Sequence, residues 1–269
     1  MLTLKMMQTM WRNADARLLD GIAQHSAADF SDNQLTTTSL VAHAMSQFSH
    51  ECNNGSTLVE NINYSPDRAS AIWPGRFSSG ADCLAKVGCN AGDPAFPIKL
   101  LDLVYGNRNG NRPGTSDGSK FIGRGLAQVT GRDNYEYLGK KFGLNLVDQP
   151  ELVNDPEHAL KCGIAIFIKC GCLDPAQNDN VAGVTKRLNG GSVGLDDRTL
   201  KLEQWKNALV QNALNGLGAD PVLLTDGEFG KNSIAALMTF QRSNGLEATG
   251  RGASRDTLEA IDKALASMH

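Results

Sequence analysis

Apolar residues recur at helical spacing in several separate stretches of the chain, and alternation of the strand type is scarce. Thr36-Thr37-Thr38-Ser39 supplies capping hydroxyls, after which Val41, Ala44, Met45 and Phe48 fall on one face. This predicts an amphipathic helix ending near Ser49–Glu51. The stretch from Cys52 to Pro66 turns polar and Asn-rich around Gly55, which predicts a loop or a short hairpin. Further helices are expected over about 98–105, 134–142 (stopped at Gly143), 156–168 and 198–214. Between Gly106 and Gly118 lies a Gly-, Asn- and Pro-rich loop.

After Gly216 the texture changes. Asp226-Gly-Glu-Phe-Gly230 is turn chemistry, followed by a helical pattern over 233–241 with Ile234, Leu237 and Met238 on one face. Gly245-Leu246 ends it, Thr249-Gly250 makes another turn, and a last helix over 254–265 carries Leu258, Ile261 and Leu265. With the segment 211–217 this makes a unit of three helices, too small for much chemistry and suited to binding. The expected fold is therefore mainly α, with a domain over 1–205 and a smaller one over 206–269.

A length of 269 residues is comfortable for two unequal domains. The net charge of −3 gives no broad electrostatic grip on nucleic acid or an anionic membrane. No apolar run approaches the roughly 18 residues needed to span a bilayer, and the start, Met1-Leu-Thr-Leu-Lys, lacks the pattern of a secretory signal. Synthesis in a cytoplasm is expected, without stable membrane insertion. The cysteine spacings are not those of a zinc site, and the histidines before Glu51 (His43 and His50) form no HExxH. Neither a metal nor a cofactor is expected.

Glu51 is the most informative residue, because it continues the stripe Val41, Ala44, Phe48 at steps of three, four and three. A carboxyl group on a core-facing side is disfavoured in its charged form, and an acid kept protonated can act as a general acid. The alternative is a helix-terminal glutamate turned to water or paired with an arginine; Arg187 and Arg198 are available. Glu60 follows nine residues later, beyond the loop. Glycoside hydrolysis uses two carboxyl groups, with a separation of about 6.5–9.5 Å for inversion and about 5 Å for retention. Chain spacing does not fix that distance.

The densest motif is Gly123-Arg-Gly-Leu-Ala-Gln-Val-Thr-Gly-Arg-Asp-Asn-Tyr135. Gln128, Thr130 and Asn134 offer uncharged hydrogen-bonding groups suited to sugar hydroxyls and acetamides. Thr130 to Asp133 also has the spacing of a capping box, which predicts Thr130 as a helix N-cap. Asn189-Gly190-Gly191 reads as a turn, and Tyr64, Trp73 and Tyr105 are either sugar-stacking rings or core.

Six segments in order resemble glycoside hydrolase family 19, the chitinase-like lysozyme fold, in the short form found in phage endolysins. They are Ser49-His-Glu51, Glu60-Asn-Ile-Asn-Tyr-Ser65, Trp73-Pro-Gly-Arg-Phe77, Val104-Tyr-Gly-Asn-Arg108, the Gly123–Tyr135 motif and Val184-Thr-Lys-Arg-Leu-Asn-Gly-Gly191. The resemblance implies a lysozyme-like bilobal helical catalytic domain, inversion, Glu51 as general acid, Glu60 as the base activating water, and Thr130 as a residue holding that water. It implies Gln128 and Asn134 in the sugar groove, and Asn189 as the Asn of the family's Asn-Gly-Gly turn; Tyr64 is placed with these as a substrate-binding aromatic. The segment between the glutamates is much shorter than in plant chitinases, as in the endolysin branch. Residues from about 207 to 265 resemble the three-helix peptidoglycan-binding domain.

The expectation is a monomeric endolysin acting on bacterial peptidoglycan in the periplasm once the membrane is breached. A chitinase, a non-catalytic wall-binding protein and a secreted antibacterial toxin remain alternatives on the sequence.

Overall fold

A computed structural model describes residues 2–252 and 254–268. Fourteen α-helices are found among them, and no β-strand beyond isolated bridges, so the protein is mainly α. In chain order these are α1 Leu4–Met10, α2 Ala16–Asp32, α3 Thr38–Glu51, α4 Pro66–Ile72, α5 Gly80–Val87, α6 Phe96–Tyr105 and α7 Asp117–Lys120. There follow α8 Arg132–Phe142, α9 Ala159–Lys169, α10 Leu173–Gln177, α11 Val181–Asn189, α12 Leu195–Gly216, α13 Lys231–Ser243 and α14 Arg255–Ala266. No helix among the described residues is long and apolar enough to cross a membrane. The backbone divides into two compact units, one of Met1–Thr57, Gly125–Ala127 and Asn154–His269, the other of Leu58–Arg124 and Gln128–Val153.

In the first unit α3 is central, buried from Leu40 to Ser49 on every side. The Thr37 side chain caps it by accepting from the Leu40 N–H, which satisfies one of the free donors of the first turn. A helix buried all round must meet partners on all faces, and α12 is the largest of them. The packing is locked at Ser49, whose Oγ accepts from Trp11 Nε1 at 2.8 Å and from Trp205 Nε1 at 2.7 Å. The two indoles meet edge to face, 6.3 Å between centroids.

Around the other side of α3, buried His43 lies 2.9 Å from Asp179 and Lys206 Nζ 2.6 Å from the same oxygen. An ionised carboxylate only accepts, so His43 donates from Nε2. The His43 bond, foremost, and Lys206 hold the Asp179 carboxyl down to about 2 against the opposing effect of burial. Its pKa is thus lower folded than unfolded. The linked stability is full above the ordinary value of 3.8 and is lost as the pH falls through about 2. With Asp179 some 42 % exposed, screening reduces this to about 1 kcal/mol. Asp179→Asn should lower stability in urea titrations by at least that amount at pH 7, with the gap to the wild type closing between pH 4 and 2. A gap that is unchanged at pH 2 would exclude the linkage.

The C-terminal helices share this unit. Val210, Ala213, Leu214, Leu223, Leu237, Leu258 and Ile261 form a core of their own between the last turns of α12, α13 and α14. Gln211 organises the Asp226-Gly-Glu-Phe-Gly turn: its Oε1 accepts from the Gly227 N–H at 2.9 Å and its Nε2 donates to the Glu228 carbonyl at 2.9 Å. Helix α12 runs unbroken through 205/206, so the position expected as a domain boundary carries no linker.

The second unit is built on Ala69, Phe77, Cys83, Phe96, Leu100, Leu101, Val104 and Ile122, contributed chiefly by α4, α5 and α6. The loop 52–66 forms no hairpin within itself; its one bridge pairs Val59 with Arg124. All six cysteines are free thiols, and burial pushes Cys52, Cys162 and Cys172 up to about 12, which makes them unreactive packing groups.

Candidate active site

The residues singled out by the sequence fall into two groups, one in each unit. In the first unit Glu51 is the last residue of α3. Its carboxylate is met by a guanidinium: Arg198 Nη2 lies 2.5 Å from Glu51 Oε1, and Nη1 of the same side chain donates to Gln47 Oε1. Arg198 is 1 % exposed and Glu51 19 %. The apolar surroundings suggested by the stripe Val41, Ala44, Phe48 are therefore interrupted where they reach the carboxyl group. The arginine-paired alternative is the one found. Glu51 Oε2 makes no hydrogen bond among the described residues.

On the outer side of this pair His50 Nδ1 lies 2.6 Å from Asp197, which also meets Lys201. Asn189 ends α11 and is exposed, with only a long bond of 3.4 Å from its Nδ2 to the Val193 carbonyl. Gly190 behind it caps the helix in the left-handed region, as the turn pattern required.

The second unit gathers the rest. Glu60 follows the bridge residue Val59, and its backbone N–H donates to the Gly123 carbonyl at 2.9 Å. The Gly123 N–H returns a bond to Glu60 Oε2 at 3.1 Å, and the Tyr64 hydroxyl donates to Oε1 at 3.2 Å. Both carboxylate oxygens are thus fixed. Gly123 leaves room for the polar side chains around it. A Cβ there would lie 2.8 Å from Gln128 Oε1 and 3.4 Å from both Glu60 Oε2 and Thr130 Oγ1. Three polar side-chain atoms converge on the space a methyl group would take.

Local backbone produces this convergence. Arg124 and Val129 exchange backbone hydrogen bonds around a tight turn in which Gln128 adopts φ +47°. Thr130 does not cap α8, contrary to the capping-box expectation. Gly131, at φ +85°, occupies the N-cap position without a side-chain bond, and the Thr130 hydroxyl donates to the Gln128 carbonyl at 3.0 Å. Its lone pairs remain free to accept. Asn134, in the first turn of α8, donates to the Thr130 carbonyl at 2.9 Å and holds this strand-like turn from behind.

Tyr64, Trp73 and Tyr105 pack edge to face in series, at 5.3 and 6.0 Å between centroids, against the core of this unit. Burial first, and then the negative charge of Glu60, raise the Tyr64 hydroxyl to about 12 and raise Tyr105 as well. Tyr64 is consequently a permanent donor to Glu60 across the working range of pH. The chemistry available is that of a carboxylate base with both oxygens oriented, beside a hydroxyl and an amide.

One further cluster has the composition of a metal site: ligand atoms of Asp155, Glu157 and His158 lie within 4.8 Å of one another on the turn before α9. It involves none of the residues above. Sequence reasoning named Arg198 only as a general support for carboxylates. It revealed neither Gln47 nor the contact of Gly123 with Glu60, since these contacts join residues 151 and 63 positions apart.

The chain is similar to proteins of known class. Residues 208–261 match the family described as "Putative peptidoglycan binding domain". A "Glycosyl hydrolase family 19 domain-containing protein" of Haemophilus influenzae is 29 % identical over 155 residues, 57 % of this chain and 72 % of the relative. An acidic 27 kDa endochitinase of Solanum lycopersicum is 36 % identical over 73 residues, which are 27 % of this chain and 30 % of the endochitinase. Chitinase C of Streptomyces griseus superposes with a TM-score of 0.49 at 18 % identity, over 76 % of this chain and 90 % of the other.

Proposed function

We propose that this chain is a glycoside hydrolase of family 19, carrying a peptidoglycan-binding domain over residues 208–261, and that it hydrolyses the β-1,4 glycosidic bonds of bacterial peptidoglycan with inversion. In the cell it would serve as a monomeric endolysin, made in the cytoplasm of a phage host and released onto the wall when the membrane is breached. The observation that carries the choice of polymer is the peptidoglycan-binding domain in the same chain as the hydrolase. A chitinase has no need of it.

In this reading Glu51 protonates the leaving oxygen and Glu60 takes a proton from the attacking water. What supports Glu51 is orientation and not its pairing as such: Arg198 holds Oε1, and Oε2, which makes no hydrogen bond among the described residues, is left for a glycosidic oxygen. Glu60 is supported by the two donors that orient it, the Gly123 N–H and the Tyr64 hydroxyl. Thr130 and Gln128 surround the same glycine as Glu60, and in this reading a hydroxyl that can accept and a carboxylate that close together share the two hydrogens of one water. Asn134 supports that turn, and Asn189 stands exposed at the end of α11 for contact with the strand.

Purified sacculi incubated with the protein should release new reducing ends whose first-formed anomer is α, by proton NMR during the early reaction, while crystalline chitin releases far fewer. Initial β anomers would overturn inversion, and chitin cut as fast as sacculi would overturn the choice of polymer. Sacculi bound without any release would favour a non-catalytic binder. Mass spectrometry of the reducing-end sugar identifies which of the two alternating bonds is cut.

A further inference from the structure

We propose that a cleft on the outer face of the C-terminal helices is a glycan-binding subsite that takes N-acetylhexosamine units of the wall polymer. This rests on the reading of peptidoglycan as substrate. The cleft, of about 630 Å³, opens between the end of α12, the segment 217–221 and the exposed face of α13. That volume lies within the range of about 300–1,000 Å³ typical of small-molecule sites. Its lining from Leu214 to Asn244 falls inside the matched peptidoglycan-binding region.

The floor is apolar, formed by Leu214, Leu217 and half-buried Phe240, with Ala235 and Ala236 too short to fill the space. The rim is hydrogen-bonding and neutral: Asn232, Thr239, Ser243 and Asn244. The side chains of Asn232 and Ser243 make no hydrogen bond among the described residues, while the Asn244 amide donates to the Phe240 carbonyl and leaves its oxygen available. An N-acetylhexosamine presents a C–H face, a ring of hydroxyls and a neutral acetamide. An apolar floor with an amide and hydroxyl rim is the surface that matches those three features.

The charge of the lining separates the two parts of the polymer. A stem peptide is rich in carboxylates, and a site for it would offer cations. Asp220 is the one charged side chain lining the cleft, and its charge is negative. The glycan is neutral along its repeating amide and hydroxyl edges and pays no such penalty.

The test uses the full chain. Ala235→Trp fills the cleft from an exposed helix position, and Asn232→Ala with Ser243→Ala removes rim groups without adding bulk. Both should keep the helical circular dichroism of the wild type and lower co-sedimentation with sacculi, by at least tenfold for Ala235→Trp. Peptide-free glycan oligosaccharides should compete for sacculus binding and shift the NMR signals of Asn232 and Asn244, and free stem peptide should do neither. Wild-type sacculus binding by the folded Ala235→Trp variant, or competition by the stem peptide alone, would overturn the subsite while leaving hydrolysis standing. A wild type that neither sediments with sacculi nor cuts them would overturn the reading on which the subsite rests, and the subsite with it.

Discussion

Glu51→Gln should lower the release of reducing ends from purified sacculi by about 10³-fold, within the 10²–10⁴ that positioned proton transfer contributes. Glutamine has the same shape, and its amide oxygen can still accept from Arg198, so the packing of α3 on α12 is expected to survive. What disappears is the transferable proton at a position that Arg198 and Gln47 hold in place. The surrounding anchors are insensitive to the change, because Ser49 is tied to Trp11 and Trp205 by its own hydroxyl. Arg198 keeps an acceptor but loses its counter-charge, so Tm should fall by several degrees, while the folded protein should retain sacculus co-sedimentation. A folded Glu51→Gln protein with more than a tenth of wild-type activity would remove Glu51 from the role of acid.

The helices with long apolar faces and clear ends were legible in the sequence: α3 with Thr37 before it, α8 stopped at Gly143, and α13 and α14 after the Gly-rich turns. Helices α4 and α5 were not, since seven and eight residues are too few for a 3.6-residue period to stand out. Helix α2 carried a signal in Asp15, Leu18, Leu19, Ile22 and Phe30, but Gly21 and a polar C-terminal half diluted it. The spacing from Thr130 to Asp133 permits a capping box. Gly131 at positive φ moved the cap by one residue and turned the hydroxyl toward Gln128 instead.

The site was legible as a set of residue types and not as a set of contacts. Glu60, Gln128 and Thr130 were each identifiable, yet their convergence on Gly123 depends on pairing segments that lie 63 residues apart. Periodicity carries no information about such a pairing. The same limit applies to Glu51: the stripe located it on the inner side of α3, and only tertiary structure could tell apolar surroundings from a buried guanidinium.

Arg198→Met is the second substitution with a large expected effect, and it acts on stability and rate together. Arg198 is almost wholly buried and serves two acceptors, Glu51 Oε1 and Gln47 Oε1. Methionine keeps much of the packing volume but leaves Gln47 and one carboxylate oxygen without their donor. Breaking a buried ion pair costs about 3–5 kcal/mol. Glu51 is 19 % exposed and can recover some hydration, so a loss of about 2–3 kcal/mol is expected. That corresponds to a fall in Tm on the order of 4–12 °C for a chain of this size. With its rotamer no longer fixed, Glu51 should lose about 10²-fold in kcat, the cost of a misplacement near 1 Å, while KM changes little because Arg198 is too deeply buried to touch a sugar. Arg198→Lys restores the charge without the two-pronged geometry, and should recover most of the Tm and only part of kcat. If Arg198→Met loses stability but keeps wild-type kcat well below its Tm, the guanidinium holds α12 against α3 and does nothing to position the acid.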